Sequence, residues 1–316
     1  MKQFVGIGAA LALLWLFACL RAKGLESSHR PTLIGVEVDG EAESVCIISD
    51  PAISEASGIA ISRQIPDAIW IHNDSGDLPR LFLVGLDGLT KTVVTVRDAT
   101  PMDWEDMCSF ELDGEKWLLV GDSGDNGRVR GKTAPACQLL LLKEPSIENK
   151  AGTEPGQRTI NSFATVEYSY PEGPCDCESL AVDPETREIL LLSKSDPFTC
   201  ALFRLPLSLK AGRSTAVAES IASLGVSYAT AMDISPNARR LAVVNMFSGA
   251  MIERQDQESW STACRRPVTL LTLPTRAQGE TVCFTADSRS LLLNSERPSQ
   301  PLWKVDLEKS PAAEAN

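Results

Sequence analysis

The sequence predicts an all-β chain folded as a five-bladed β-propeller, closed by an N-terminal strand that completes the last blade. Three observations carry this expectation. Groups of four β-runs recur about every 50 residues, the period of blade-like repeats. The second run of each group is nearly all apolar, as in Leu118-Leu119-Val120, Leu190-Leu191-Leu192 and Leu291-Leu292-Leu293. Such strands are covered on both faces, which blade-on-blade packing requires. The fifth group has only three runs, and Ser44 to Ser49 stands ahead of the first group to supply the fourth. That loan leaves no open sheet edge.

Taken in order, the chain begins with Lys2, an apolar run from Val5 to Phe17, then Arg21 and the small Ala22. This is the pattern of a secretory signal. Residues 1–22 are read as a signal peptide, with a lipid anchor at Cys19 or an uncleaved anchor as alternatives. The protein is therefore expected to be exported, periplasmic or extracellular. The run is short for a membrane span, and no later stretch could cross. Residues 23–43 read as a leader, 44–309 as the propeller and 310–316 as a polar tail.

Blade one is read from Glu55 to Val96, with runs at Ala68 to His72, Arg80 to Val84 and Thr92 to Val96. Blade two starts at Trp104-Glu105-Asp106 and ends with Phe163 to Tyr168. Its stretch from Lys143 to Ser162 is rich in Pro, Gly, Glu and Asn and reads as an insertion loop. Blade three starts at Glu178, turns at Asp183-Pro184-Glu185-Thr186, and has a weak outer run near Ala216 to Ala222. Blade four runs from Thr230 to Leu273. Blade five runs from Gly279 to Leu307. No long amphipathic helix pattern is present.

Composition narrows the function classes. A formal charge of −12 and a pI near 4.8 leave no basic face for nucleic acid. Nine cysteines in an exported chain permit disulfides. The pair Cys175 and Cys177 is read as disulfide-forming rather than as a thiolate zinc site, because no second close pair and no histidine accompany it. Cys108 and Cys283 sit in apolar runs and read as buried small hydrophobes. The two histidines, His29 and His72, offer no serine–histidine triad: His29 lies in the leader and His72 within an apolar strand.

Aligning the blades on Ile59, Met107, Leu180, Met232 and Val282 places Ser57, Glu105, Glu178, Thr230 and Glu280 two positions earlier. The start of each innermost strand borders the central channel, so these five side chains should converge on the axis. Three carboxylates and two hydroxyls crowded together either acquire raised pKa values or hold a cation. Oxygen-only ligands with this charge suit Ca²⁺. The alternative is that each Glu caps loops within its own blade.

The loops after the second strands open at the same end. They hold Asp74, Asp77, Asp122, Asp125, Asn126, Lys194, Asp196, Asn245, Glu296 and Arg297. Asp74 or Asp122 is the candidate to position a water for attack. Asn126, Lys194, Asn245 and Arg297, with Arg128, are the candidates to meet an anionic group. Asp/Gly/Asn loops are also ordinary turns.

The axial set of Ser57, Glu105, Glu178, Thr230 and Glu280 resembles that of the calcium-activated nucleotidases (apyrases), which implies a central Ca²⁺. The flanking apyrase motifs do not accompany it, so the resemblance does not extend to nucleotidase activity. Trp104-Glu105-Asp106, Gly121 to Asn126, Tyr170 to Gly173, Cys177 to Pro184 and Gln278-Gly279-Glu280 are similar to a family of exported bacterial propellers with phytase-like or esterase-like labels. That resemblance spans about residues 50–307 and implies the fold more than a substrate. Two functions are expected from these readings. One is a Ca²⁺-dependent hydrolase of phosphate esters or related anions. The other is a monomeric, non-enzymatic propeller that binds a small anionic molecule or a protein, with structural calcium.

Overall fold

The computed structural model describes residues 37–38, 42–147, 156–194 and 198–307. The expected signal peptide with Cys19, most of the leader, Asp196 and the polar tail lie outside the described residues. Among the described residues, no helix is long and apolar enough to cross a membrane.

Two short strands come first, β1 (Glu37–Val38) and β2 (Ala42–Ile47). Blade one contains β3 (Ala56–Ile61), β4 (Ala68–Asn73), β5 (Arg80–Gly85) and β6 (Thr90–Val96). Blade two contains β7 (Trp104–Leu112), β8 (Glu115–Asp122), β9 (Cys137–Lys143) and, after an interposed β10 (Gly156–Ile160), β11 (Ala164–Ser169). Blade three contains β12 (Cys177–Asp183), β13 (Glu188–Ser193) and β14 (Cys200–Pro206). An interposed β15 (Gly212–Val217) precedes its outer strand β16 (Glu219–Leu224). Blade four contains β17 (Ala231–Ile234), β18 (Arg240–Val244), β19 (Gly249–Glu253), the short helix α1 (Trp260–Ala263) and β20 (Thr269–Leu271). Blade five contains β21 (Cys283–Phe284), β22 (Ser290–Leu293) and β23 (Pro301–Asp306). Its fourth strand is β2, antiparallel to β23 with Ser44 opposite Trp303. The five blades and the N-terminal closure therefore stand as the sequence predicts.

The buried apolar residues divide into five clusters, one for each seam between neighbouring blades. Strand alternation explains why the second strands are apolar throughout. Leu118 and Val120 enter the seam with blade one, whereas Leu119 enters the seam with blade three.

Two segments depart from expectation. The 143–162 stretch is not loop alone: β10 lies parallel to β6 at the outer edge of blade one, with Gly156 opposite Thr92 and Ile160 opposite Val96. The weak run near Ala216 is two strands. β15 lies parallel to β11 of blade two, and β16 completes blade three. β1 likewise lies parallel to β20 of blade four. One rule covers all three. The segment just before a blade's fourth strand reaches back and straps the preceding blade.

The other two blades obey the same rule without a strand. In blade four, Arg254 pairs with Asp183 and Glu185 of blade three, and Trp260 donates to Asp183 at 2.9 Å. In blade one, the tight turn at Gly88 accepts from Ser49, just past β2. Gly88 has φ +79, and a Cβ there would lie 2.1 Å from the Ile47 carbonyl oxygen, so the turn requires glycine.

Glu144 performs the same task for blade two. Its carboxylate accepts from Ser62 Oγ at 2.6 Å, Trp70 Nε1 at 2.9 Å and Arg63 N at 3.1 Å, all in blade one. Hydrogen bonds to charged groups contribute about 1.5–3 kcal/mol. Ser62→Ala is therefore expected to lower stability by about 2 kcal/mol, read as a lower urea midpoint at unchanged slope.

Cys177 does not stand in the disulfide expected of it. Cys177 is a free thiol, buried in the seam between blades two and three, and it donates to Ser179 O at 3.6 Å. Cys46, Cys108, Cys137, Cys264 and Cys283 are also free thiols. Burial pushes the Cys108 and Cys283 thiols well above their ordinary value, so these two are unreactive.

Candidate metal centre at the channel mouth

Each inner strand enters the channel from one end, and in three blades it enters through a bulge. The register slips at Ser57 in β3, at Glu105 and Asp106 in β7, and at Glu178 in β12. A bulge breaks strict alternation and re-aims a side chain. These bulges fall on three of the five axial residues. Ser57, Glu105, Glu178, Thr230 and Glu280 are all buried.

The five do not act alike. Ser57 Oγ donates to Glu105 Oε2 at 3.3 Å across the first two blades. Glu178 is ion-paired with Lys194. The Thr230 hydroxyl donates to the Gly279 carbonyl at 3.0 Å. Glu280 accepts from Gln278 Nε2 at 3.0 Å and is hydrogen-bonded to Glu296. The tightest carboxylate cluster lies to one side, over blades one and two. There Asp74, Asp103 and Glu105 each offer an oxygen, and these oxygens lie within 4.8 Å of one another.

Local structure explains the cluster. Asn73 ends β4, and its side chain accepts from the N–H groups of Ser54 and Glu55, which turns Asp74 toward the mouth. In blade two, Asp122 ends β8 and accepts from Asp103 N at 3.0 Å. The N–H groups of Ser123 and Gly124 then donate to Asp103 O. Gly124 passes directly over the carboxylates. A Cβ there would lie 2.2 Å from Glu105 Oε1 and 2.4 Å from Asp103 Oδ2.

The electrostatics follow from burial and crowding. Burial, then Asp103, Glu280 and Glu55, push Asp74 up to about 6. Asp103 is raised by burial and by Asp176. Glu105 is raised well above the carboxylate range by burial, then by Glu178, Asp74 and Asp103. Burial pushes Glu178 up to about 8 although Lys194 opposes it, and Glu296 reaches about 8 through burial and Glu280. These carboxyls cannot all ionise together unless a cation joins them.

The remaining sequence candidates are placed as follows. Asp122 is buried in an ion pair with Arg130 at 3.0 Å, and Arg130 also donates to the carbonyls of Asp122, Gly124, Pro135 and Ala136. Asp77 pairs with Arg80 at 2.8 Å, and Asp125 accepts from Val129 N and Arg130 N within its own loop. Asn245 folds its own turn, accepting from the N–H groups of Phe247 and Ser248. Asn126 and Arg297 are exposed on the outer loops. His72 is buried, with Nδ1 2.9 Å from Asn73 O and its ring edge-on to Trp104. Burial pushes it down to about 4, so it is neutral. Arg276 lies flat beneath Gly279, where a Cβ would meet its Cζ at 2.4 Å, and donates to Asn245 O.

Asp103 was not singled out in the sequence. The signal for Asp103 was its place two residues before an axial Glu, the same place that Glu55 holds before Ser57.

No family model and no curated protein matches the chain. Among solved structures it is similar to the PQQ-bound aldose sugar dehydrogenase from Streptomyces coelicolor, with 9% identity, a TM-score of 0.48, and 85% of this chain and 99% of that chain covered. A likeness of that degree assigns neither ligand nor chemistry to this chain.

Proposed function

We propose that this propeller binds a divalent cation at its channel mouth, with Asp74, Asp103 and Glu105 as ligands and Ser57 alongside. The single observation behind this reading is the meeting of three carboxylate oxygens within 4.8 Å, with Lys194 committed to Glu178. Crowded carboxylates either take up protons or are neutralised by a cation. An all-oxygen donor set, flexible in number, fits Ca²⁺ better than octahedral Mg²⁺. This ion is off the axis. Thr230, Glu178 and Glu280 have other partners, so a set drawn from blades one and two is favoured over all five axial residues. Export, as read from the N-terminal sequence, fits a weak calcium site of the extracellular kind.

A second reading is a hydrolase that uses the ion to polarise a substrate oxygen. It is favoured by Asp74, which at about 6 can exchange a proton near neutral pH. Anionic phosphate esters fit this mouth poorly, because Glu178 neutralises Lys194 and Asp122 neutralises Arg130. Neutral esters suit it better.

Calorimetric titration of the purified protein with Ca²⁺ tests the binding reading. One site per chain is expected, lost in Glu105→Gln and Asp103→Asn. Lys194→Met removes an internal cation close to Glu105 and is expected to tighten Ca²⁺ about tenfold, since one charge nearby in a half-buried site contributes on the order of 1–2 kcal/mol. Absence of titratable Ca²⁺ in the wild-type chain would sink both readings.

A further inference from the structure

The mouth has a second property that cation binding does not use. Among the described residues, the loops at this end of the propeller carry six exposed large apolar side chains: Leu78, Met102, Val129, Phe198, Tyr228 and Phe247. Phe247 is 80% exposed, Phe198 72% and Leu78 66%. Each lies after a second strand or just before an inner strand, so topology places all six on the face that bears the acidic mouth. They come from blades one to four. Elsewhere among the described residues, exposed large hydrophobics occur singly, at Ile47, Val217 and Leu270 on outer strands and at Leu89 in a distant turn. Concentration of exposed apolar side chains on one face is the mark of an interaction surface.

Two rim loops carry left-handed backbone positions. Tyr228 adopts φ +48 and Gly76, next to Leu78's loop, adopts φ +87. A non-glycine residue in the left-handed region costs free energy that the surrounding fold must offset. Tyr228 is 49% exposed there. Phe and Tyr on a fixed backbone give large contact area at low entropic cost.

We infer that this face docks a basic, apolar segment of another protein, its Lys or Arg side chains entering the acidic mouth and its apolar side chains covering the rim. The crowded carboxyls select a cationic occupant, whose charge lets them ionise together. Asp74, Asp103, Glu105, Glu280 and Glu296 surround the mouth, and Lys194 is already paired. A second copy of this chain would bring the same acidic face and the same net charge of −12, and would be repelled. An anionic lipid surface would be repelled likewise. The contribution of four blades to the rim gives it the footprint of a macromolecule rather than of a small cation. The inference goes beyond cation binding and does not depend on it: Glu280 and Glu296 lie outside the ligand set proposed for the ion.

The test uses the full chain and three short synthetic peptides: one alternating Lys with Leu and Trp, one with Gly in place of the apolar residues, and one with Glu in place of Lys. Binding is followed by tryptophan anisotropy or calorimetry, in chelator and in Ca²⁺. The basic apolar peptide is expected to bind in chelator, to weaken about tenfold between low and high salt, and to weaken about tenfold or more with Phe247→Ser and Tyr228→Ser together. The variant's melting temperature serves as the folding control, and both residues are exposed. Equal binding of the Gly-spaced peptide would overturn the role of the rim, and binding of the Glu peptide would overturn that of the mouth. No binding of the basic apolar peptide, or undiminished binding to the double variant, would overturn the whole proposal. So would tight binding of tryptamine alone, binding of anionic phosphatidylserine vesicles, or a stable dimer in sedimentation.

Discussion

Asp106→Ala is expected to destabilise the propeller more than loss of any ligand at the mouth, by about 4–6 kcal/mol. Asp106 is fully buried. Its Oδ2 accepts from Leu180 N at 3.0 Å and Met232 N at 2.9 Å, and its Oδ1 from Met107 N at 2.9 Å. One side chain of blade two thus ties the inner strands of blades three and four. Inner strands need such a partner, because no neighbouring strand covers their channel edge. Each buried N–H left without an acceptor costs about 1–3 kcal/mol. For a domain of this size that is a fall of roughly 10–20 °C in Tm. Asp106→Asn keeps one acceptor oxygen and is expected to cost about half as much. Urea unfolding of the two variants checks the order. If Ala and Asn behave alike and near wild type, the channel hydrogen bonds are not what holds the ring together.

The same logic extends around the axis. Asp233 of blade four accepts from Phe284 N of blade five at 2.8 Å, and the Cys283 thiol meets the N–H of Ile61 in blade one. The ring is tied blade to blade by carboxylates and a thiol, below the mouth that carries the candidate ion.

How much of this the sequence could disclose is itself a physical question. Blade count and closure were legible because a buried second strand must be apolar on both faces, and that pattern repeats. The axial carboxylates were legible because they fall at one repeat position. Asp106 stood in plain view within Trp104-Glu105-Asp106, yet strict alternation sends neighbours to opposite faces. The bulge at Glu105 and Asp106 cancels that rule, and a bulge leaves no mark in one sequence. The straps were illegible for another reason. β10 and β15 each add to the edge of a different blade, so neither shows a core-facing pattern of its own. The paired Asp-Ser-Gly-Asp strings misled by one residue. The string aligns Asp74 with Asp122, but the strand ends align Asn73 with Asp122. Shifting by one residue changes which side chain faces the mouth, so Asp74 reaches the cluster while Asp122 is spent on Arg130.

Stability without divalent cation is expected to fall as pH rises from about 6.5 to 8.5, and saturating Ca²⁺ to abolish or reverse that fall. The sign follows from the carboxylates. Asp74 moves from 3.8 to about 6, and Glu178 and Glu296 from 4.5 to about 8. A folded-state value above the unfolded one contributes stability that is fully present below the unfolded value and lost as pH rises through the folded one. His72 acts in the opposite sense, because burial lowers it from 6.5 to about 4, but its contribution is complete above 6.5. Above that pH the slope belongs to the carboxylates. In chelator a fall on the order of 5 °C in Tm is expected across the window. Ca²⁺ binds Glu105 in its ionised form, and burial and crowding raise that carboxyl well above the ordinary range too, so its stabilisation grows as that proton leaves. At a hundredfold excess over Kd it reaches about 2.7 kcal/mol, or roughly 5–10 °C. The two melting curves should therefore diverge with pH, and Asp103→Asn with Glu105→Gln should bring them together. Parallel curves would mean that the protons lost from the mouth are not those the ion displaces. The raised carboxylates would then serve the fold alone, and the divalent ion would have to be sought elsewhere.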